Sequence, residues 1–522
     1  TGGSTPAAEG YDRDVVVIST TRLDGLFVIE DGRQVVCLPG STLHRLEKTL
    51  KPLGREPHSV IGSSCFGASV VGGVCNNSGG ALTRRGAAYT QMALFARVDA
   101  QGRLALVNHL GIALGGEPEE ILRRLQAGGF DAGDIGHPAR AGSDGDYEAH
   151  VRDVEADTPA RYNADPRRLF EASGSAGKLM VFAVRLDTFA LEQDSRVFYI
   201  GSNDVAELTA LRRLLLTQAS ALPIAGEYLH RDAFDLADRY GKDQFVLIER
   251  LGTDRLPAFF ALKSRCDDFC ARQPWLPRNA LDRLLHALGR WSPDHLPARL
   301  RQYRDRYEHH LILRVAGDAV EDTQRLLSAW KADGGADVFA CTEAEARKAF
   351  LHRFVIAGAA VRYRAIHPDE VEDIVALDIA LRRNDEHWFE SLPPALERQL
   401  LHRIYYGHFL CHVFHNDYLV RKGEDCLAVE HAMWRLLDAR GARYPAEHNV
   451  GHLYVAEPAL MDFYRGLDPG NRFNAGIGQS SKHRGYAGDD AAGDGGGHAN
   501  DGARGPGCCG PAVTASGDSR GA

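Results

Sequence analysis

Apolar residues come in short runs through the first third of this chain and in wider, helical spacings after it. Asp14–Ser19 sets Val15, Val16, Val17 and Ile18 between polar flanks, which predicts a buried strand. Leu26–Ile29 and Gln34–Leu38 predict a strand pair about the turn Asp31-Gly32. Ser41 or Thr42 then caps a predicted helix whose Leu43, Leu46, Leu50 and Leu53 share one face, ending at Gly54. Met92–Val98 and Leu104–Asn108 predict a second pair about Gln101-Gly102, and Ala127–Tyr147, rich in Gly and Asp, reads as an excursion loop. From about Asp187 to Asp438, strands such as Val197–Ile200 and His309–Val315 alternate with longer helices. The pattern predicts an α+β protein, a mixed first half followed by a separate α+β domain.

The tract Gly62–Gly80 interrupts this pattern with glycine, serine and short apolar pieces. Residues without bulk let backbone N–H groups approach a ligand, and a long open stretch of them suits a pyrophosphate and a flat, polar-edged ring. No GxGxxG opens a helix here, so this is not the dinucleotide fingerprint of a doubly wound sheet. Val70, Val71 and Val74 are expected to be buried, which argues against a plain surface loop.

A net charge of -9 over 522 residues excludes general nucleic-acid binding, and the length admits two or three domains. Ten cysteines form no CxxC pair, so neither a zinc ribbon nor a disulfide framework is indicated and a reducing compartment is expected. No apolar run approaches the ~20 residues of a membrane span. Thr1–Pro6 is a turn-like run set just before a strand, and a missing N-terminal piece is expected. The Gly/Ala/Asp/Ser-rich end is expected to be disordered.

Lys263–Arg306 departs from the acidic average, with ten basic residues against five acidic ones. Its arginines interleave with Trp275, Leu276, Leu281, Leu284, Leu285, Leu288 and Trp291. That composition suits a helix lying on an anionic bilayer, and equally a core helix with a solvated basic face.

Three elements carry a resemblance: Gly62–Gly80, Ser173–Leu179 and Asp468–Gly476. They resemble the flavin-binding elements of the vanillyl-alcohol-oxidase type of FAD enzymes. The wording of Arg55–Gly62, Glu155–Pro166 and Pro445–His452 is similar to the respiratory, quinone-dependent D-lactate dehydrogenases of bacteria, from Thr1 to about Lys482. The resemblance implies a discontinuous FAD-binding domain (1–187 and 439–482). It implies a cap in three parts (188–229, 307–344, 369–438) and a membrane-binding region in two (230–306, 345–368); the tail at 483–522 is read from its composition and lies outside the resemblance. The resemblance also implies non-covalent FAD contacts at Gly3, Ser4, Gly62, Ser69, Gly79 and Val181.

For the chemistry, oxidation of a D-2-hydroxy acid needs a base, a cation for the carboxylate and a group that polarises the hydroxyl. The spacing of His408 and His415 resembles a histidine pair that holds a divalent metal in related dehydrogenases, with Glu447 as the third ligand. His448 is then the expected base. Phe409–Phe414 replaces the family's Gly-Asp-Gly, and Asn449 stands where a glycine is usual, so pocket histidines without metal are the alternative. Arg353 is expected at the substrate carboxylate, where its fork allows bidentate recognition. A surface role for Arg353, or the run Arg382–Asp385, remains open. The implied partners are D-lactate, membrane quinone and an anionic phospholipid surface, at the cytoplasmic face of the bacterial inner membrane. Rival readings are a dehydrogenase of another D-2-hydroxy acid (2-hydroxyglutarate or glycolate) and a flavin-free membrane-associated protein.

Overall fold

The computed structural model describes residues 10–59, 67–192, 194–252, 255–273, 279–332, 334–447 and 454–488. They form two compact units, one of the residues up to 193 and from 443 onward, the other of residues 194–442.

The first unit is built on a five-stranded antiparallel sheet. Its strands are β1 (Leu26–Ile29), β2 (Gln34–Cys37), β4 (Ala93–Val98), β5 (Leu104–Asn108) and β6 (Met180–Asp187), in the order β1-β2-β6-β4-β5. Two further short strands, β3 (Arg55–Glu56) and β7 (Phe189–Ala190), pair with each other. Central β6 is apolar on both faces because both are covered. Val35, Cys37, Val184 and Leu186 meet Leu46, Leu50, Val70 and Val74 on one side, while Val36, Leu38, Leu94 and Ala183 meet Ile121 and Leu125 on the other. The predicted hairpin forms with Leu26 opposite Cys37. Thr42 caps the helix Leu43–Leu50 by accepting from Arg45 N–H, and Gly54 takes a left-handed φ of 65° after a final 3-10 turn.

The strand expected at Asp14–Ser19 does not form. Those residues have no strand partner and Val17 is 87% exposed. An apolar run becomes a strand only where a neighbour takes its backbone hydrogen bonds.

The second unit is an eight-stranded antiparallel sheet with helices. The strands are β8 (Arg196–Ser202), β9 (Ala225–His230), β10 (His309–Val315), β11 (Asp337–Ala340), β12 (Val371–Ala380), β13 (Leu400–Ile404), β14 (Tyr406–His408) and β15 (Val413–Arg421). Their order is β11-β8-β10-β9-β14-β15-β12, with β13 also pairing β15. The core on one face joins Tyr199, Leu229, Ile312 and Leu419 of the strands to Phe234, Tyr240, Phe245, Leu300, Ile356 and Tyr363 of the helices.

The basic segment becomes three helices, Leu256–Ala271, Ala280–Trp291 and Ala298–Arg306. Much of its charge is answered by acids outside it: Arg299 pairs with Glu345, Arg301 with Asp238, and Arg304 with Asp235, while Asp294 within the segment also pairs with Arg301. Among the described residues Arg265, Arg272, Arg283 and Arg290 have no acidic partner. Leu284, Leu288 and Trp291 stand one helical turn apart on Ala280–Trp291 and all are exposed, Trp291 at 86%. Trp275, Leu276 and Arg278 lie outside the described residues. At the chain's far end Tyr486 is buried, and residues 489–522, most of the expected tail, lie outside the described residues.

Candidate functional site

In the first unit the glycine tract ends in structure that its composition does not announce. Ser69 accepts from Gly72 N–H at 3.0 Å and caps a six-residue helix, Val70–Cys75, whose Val70, Val71 and Val74 are buried against the sheet. Two glycines disfavour that helix, and burial of the three valines holds it. Val70 N–H donates to Ser41 O and Leu43 N–H to Ala68 O, so the tract is pinned to the start of the helix Leu43–Leu50. Just upstream, Gly67 has φ +137° and nothing within 4 Å of where a Cβ would stand. An open, left-handed backbone position ahead of a small-residue helix fits the phosphate-bearing side of FAD.

Gly79 is glycine for a further reason: a Cβ there would overlap the Glu447 carboxylate and come within 2.6 Å of Arg161 Nε. Arg161 and Glu447 are a buried pair, with Nη2 and Oε1 2.8 Å apart. Arg161 also donates to the carbonyls of Arg85 at 2.9 Å and Gly80 and to Tyr147 Oη at 3.3 Å. The segment Glu155–Pro166 therefore ties the glycine tract to the returning chain. A second tie lies at Asp468–Gly476, where Lys178 Nζ donates to Asn471 Oδ1 and Asn474 Nδ2 to Ala176 O, both at 2.6 Å. Asn471 and Asn474 both take positive φ, which asparagine tolerates. Val181 lies on β6 within the core cluster. Gly3, Ser4, Gly62 and His448 lie outside the described residues.

The second unit gathers its polar groups on the helix-bearing face of the sheet. Strand alternation puts Glu227 beside Leu229, Tyr406 beside His408, and His415 and Asp417 beside Leu419 on one side. Register then sets His408 opposite Glu227 and His415 opposite Asp378. His408 Nδ1 hydrogen-bonds Glu227 Oε1 at 2.7 Å, whereas His415 Nδ1 stands 3.0 Å from Asp378 Oδ1 without making a hydrogen bond to it. The two imidazoles meet edge to face, with centroids 5.0 Å apart. The carboxylate on His408 Nδ1 orients that ring so that Nε2 is the nitrogen offered to a metal or substrate.

Arg353 enters this cluster from the last turn of the helix Glu343–Phe354. It is buried, ion-paired through Nη2 to Glu227 Oε2 at 3.0 Å, and lies 4.5 Å over the Tyr406 ring. Its Nε is buried and has no hydrogen-bond partner. Tyr406 Oη donates to Asp417 Oδ2 at 2.8 Å. Burial pushes the Asp417 carboxyl up to about 7, against the pull of Tyr406 and Arg353. Burial also works to raise Glu227, but His408 and Arg353 outweigh it and hold that carboxyl below its usual value.

Of the residues singled out in the sequence, Arg353, His408 and His415 come together in the second unit; Glu447, in the first, is ion-paired to Arg161. Glu227, Asp378, Tyr406 and Asp417 had no local signal, because only strand register brings them to the histidines. The run Arg382–Asp385 is a turn after β12, where Asp385 pairs with Arg440 at 2.9 Å.

Residues 197–486 match the family described as D-lactate dehydrogenase, membrane binding, and residues 1–107 match the FAD binding domain family. The quinone-dependent D-lactate dehydrogenase of Escherichia coli (strain K12) is 57% identical over 93% of this chain and 85% of its own length. That of Haemophilus influenzae is 54% identical over 93% and 86%, and that of Corynebacterium glutamicum 44% identical over the same shares. Solved structures of an alkyldihydroxyacetonephosphate synthase and of a 4-ethylphenol oxidase from Gulosibacter chungangensis align over 87% and 88% of this chain and 66% and 78% of theirs. Identities are 10% and 12%, and both TM-scores are 0.48. Matches over half of the chain to one family model, and over nearly all of it to three relatives, place the chain in the quinone-dependent D-lactate dehydrogenase family.

Proposed function

We infer that this chain oxidises D-lactate to pyruvate with FAD as hydride acceptor and delivers the electrons to a membrane quinone. The observation that carries the reading is Arg353: a buried guanidinium, anchored at Nη2 and over an aromatic ring, with Nε left unpartnered. A buried donor without an acceptor is costly, and a substrate carboxylate satisfies it with a charge-assisted bond. His408, oriented by Glu227, and His415, beside Asp378, face the same cluster and are suited to hold a divalent cation or to contact the hydroxyl directly. His448, expected as base from the resemblance, completes the proposed roles by taking the hydroxyl proton. When bound, FAD supplies the hydride acceptor at N5.

For the membrane, the exposed stripe Leu284, Leu288 and Trp291 together with Arg265, Arg283 and Arg290 supports peripheral attachment to anionic phospholipid at the cytoplasmic face of the inner membrane. No described helix is long and apolar enough to cross a membrane.

The test is stereospecific turnover by FAD-loaded protein with a soluble quinone. D-lactate should reduce the quinone and L-lactate should not, and R353M should raise KM for D-lactate by at least about 100-fold. An R353M protein with unchanged KM would remove Arg353 from the reading. Equilibrium dialysis of Mn²⁺ or Zn²⁺ against H408A, H415A and E447Q tests the metal, and wild-type retention by all three returns these residues to a metal-free role.

A further inference from the structure

Glu227 lies on β9, 126 residues before Arg353 and 181 before His408, outside every motif of the sequence. We propose that Glu227 is a positioning residue for the D-lactate reaction, one carboxylate that fixes the substrate-binding guanidinium and the first histidine relative to each other. This rests on the reading of Arg353 given above.

The two oxygens of Glu227 are used in different directions. Oε2 accepts from Arg353 Nη2 at 3.0 Å and Oε1 engages His408 Nδ1 at 2.7 Å. A carboxylate held at both oxygens cannot rotate about its terminal torsion without losing one partner. Direct register opposition of Glu227 and His408 across β9 and β14 fixes the carboxylate against the sheet, so the sheet becomes the reference frame for both groups. Arg353 is then defined by two contacts, the Glu227 oxygen on Nη2 and the Tyr406 ring 4.5 Å from Cζ, and its unpartnered Nε is held in one direction. His408 is likewise fixed: a carboxylate on Nδ1 keeps the ring proton there and turns Nε2 away from Glu227. Arg353 comes from a helix and His408 from a strand, and Glu227 is the side chain that bonds to both. Where a hydride must leave a carbon held by its carboxylate, the relative placement of these two groups sets the reacting distance.

The experiment uses FAD-loaded protein with E227Q, E227D and R353M. Binding of oxalate, a carboxylate analogue with no hydride to transfer, is read from perturbation of the flavin absorption bands, beside KM and kcat for D-lactate. E227Q keeps the shape, removes the charge and sets an amide N–H₂ against one of two donors. It should weaken oxalate about 10-fold and raise KM by a similar factor, with kcat lowered as well because the histidine shifts too. E227D keeps the charge but loses one methylene of reach, so it is expected to fold whatever the glutamine does. It should raise KM and the oxalate Kd by about three-fold or more, with an unchanged urea midpoint. Wild-type KM and oxalate Kd in E227D, or values within two-fold of wild type in E227Q while R353M loses both, overturn the proposal and leave Arg353 standing. Undiminished oxalate binding in R353M overturns the reading of Arg353 and the proposal with it.

Discussion

Replacing His310 by leucine should change the pH dependence of stability by a predictable amount. His310 lies on β10 with no exposed surface, its ring between Tyr199 and Phe234 at centroid distances of 5.8 and 5.7 Å. Neither ring nitrogen has a hydrogen-bond partner. Burial, followed by the charges of His230, His309, His352 and Arg231, pushes its pKa down from 6.5 to about 3. A depressed histidine favours the neutral ring in the native state, so its contribution is fully present above the unfolded value and is lost as pH falls below it. The window runs from about pH 6.5 down to about 3. At pH 5 the unfolded ring is almost fully protonated and the native ring almost fully neutral. The resulting loss is RT ln[(1 + 10^1.5)/(1 + 10^-2)], about 2 kcal/mol, and it vanishes at pH 8. H310L removes this proton site together with two unsatisfied nitrogens, so at pH 8 it should be no less stable than wild type. Other groups titrate identically in both proteins and cancel in the difference. Urea unfolding followed by far-UV circular dichroism at pH 8 and pH 5 should therefore show the variant gaining about 2 kcal/mol on wild type at the lower pH. Parallel stability curves for the two proteins would refute the argument, because they would mean that native His310 takes up a proton as readily as the unfolded chain does.

Two further outcomes follow from packing. G79A places a Cβ into the Glu447 carboxylate and beside Arg161, a buried pair with no slack, and should lower stability by about 2 kcal/mol or more in thermal melts. A melt within 0.5 kcal/mol of wild type would show that the pair can move aside. The double variant L288E/W291E, on the exposed face of the helix Ala280–Trp291, should weaken co-sedimentation with anionic vesicles by at least about 10-fold while turnover with a soluble acceptor is kept. Unchanged sedimentation would remove this stripe from the membrane-facing surface.

Features that depend on near neighbours were legible in the sequence. The β1–β2 hairpin follows from apolar runs flanking Asp31-Gly32, the Thr42 cap from a hydroxyl ahead of a leucine face, and β10 has the bounds His309–Val315 that its apolar run indicates. Features that depend on distant partners were not. Asp14–Ser19 has strand composition without a strand beside it. The helix Val70–Cys75 has poor composition but a serine cap and three buried valines. In the site, Arg353 and the two histidines were singled out by the family resemblance. Glu227, Asp378 and Asp417 were not, since a carboxylate on a strand is ordinary until register sets it opposite a histidine.

The basic segment shows why local charge is a poor guide on its own. Counting within Lys263–Arg306 gives a surplus of five, yet Asp235, Asp238 and Glu345, all outside it, take up Arg304, Arg301 and Arg299. Those three arginines bind the helices of the unit to one another and have little field left for a bilayer. Among the described residues Arg265, Arg283 and Arg290 have no such partner, and Arg290 directly precedes the exposed Trp291 on a helix that also exposes Leu284 and Leu288. An anionic surface is attracted by unpaired cations, and apolar side chains beside them gain only where they leave water together. The same question of which carboxylate answers each cation separates Arg353 from its neighbours. Arg362 pairs with both Asp243 and Asp282, and Arg364 with Asp373. Among the described residues Arg353 has a single carboxylate, shared with His408, and one buried N–H without an acceptor. Of these three closely spaced arginines it is therefore the one equipped to take a second carboxylate from solution.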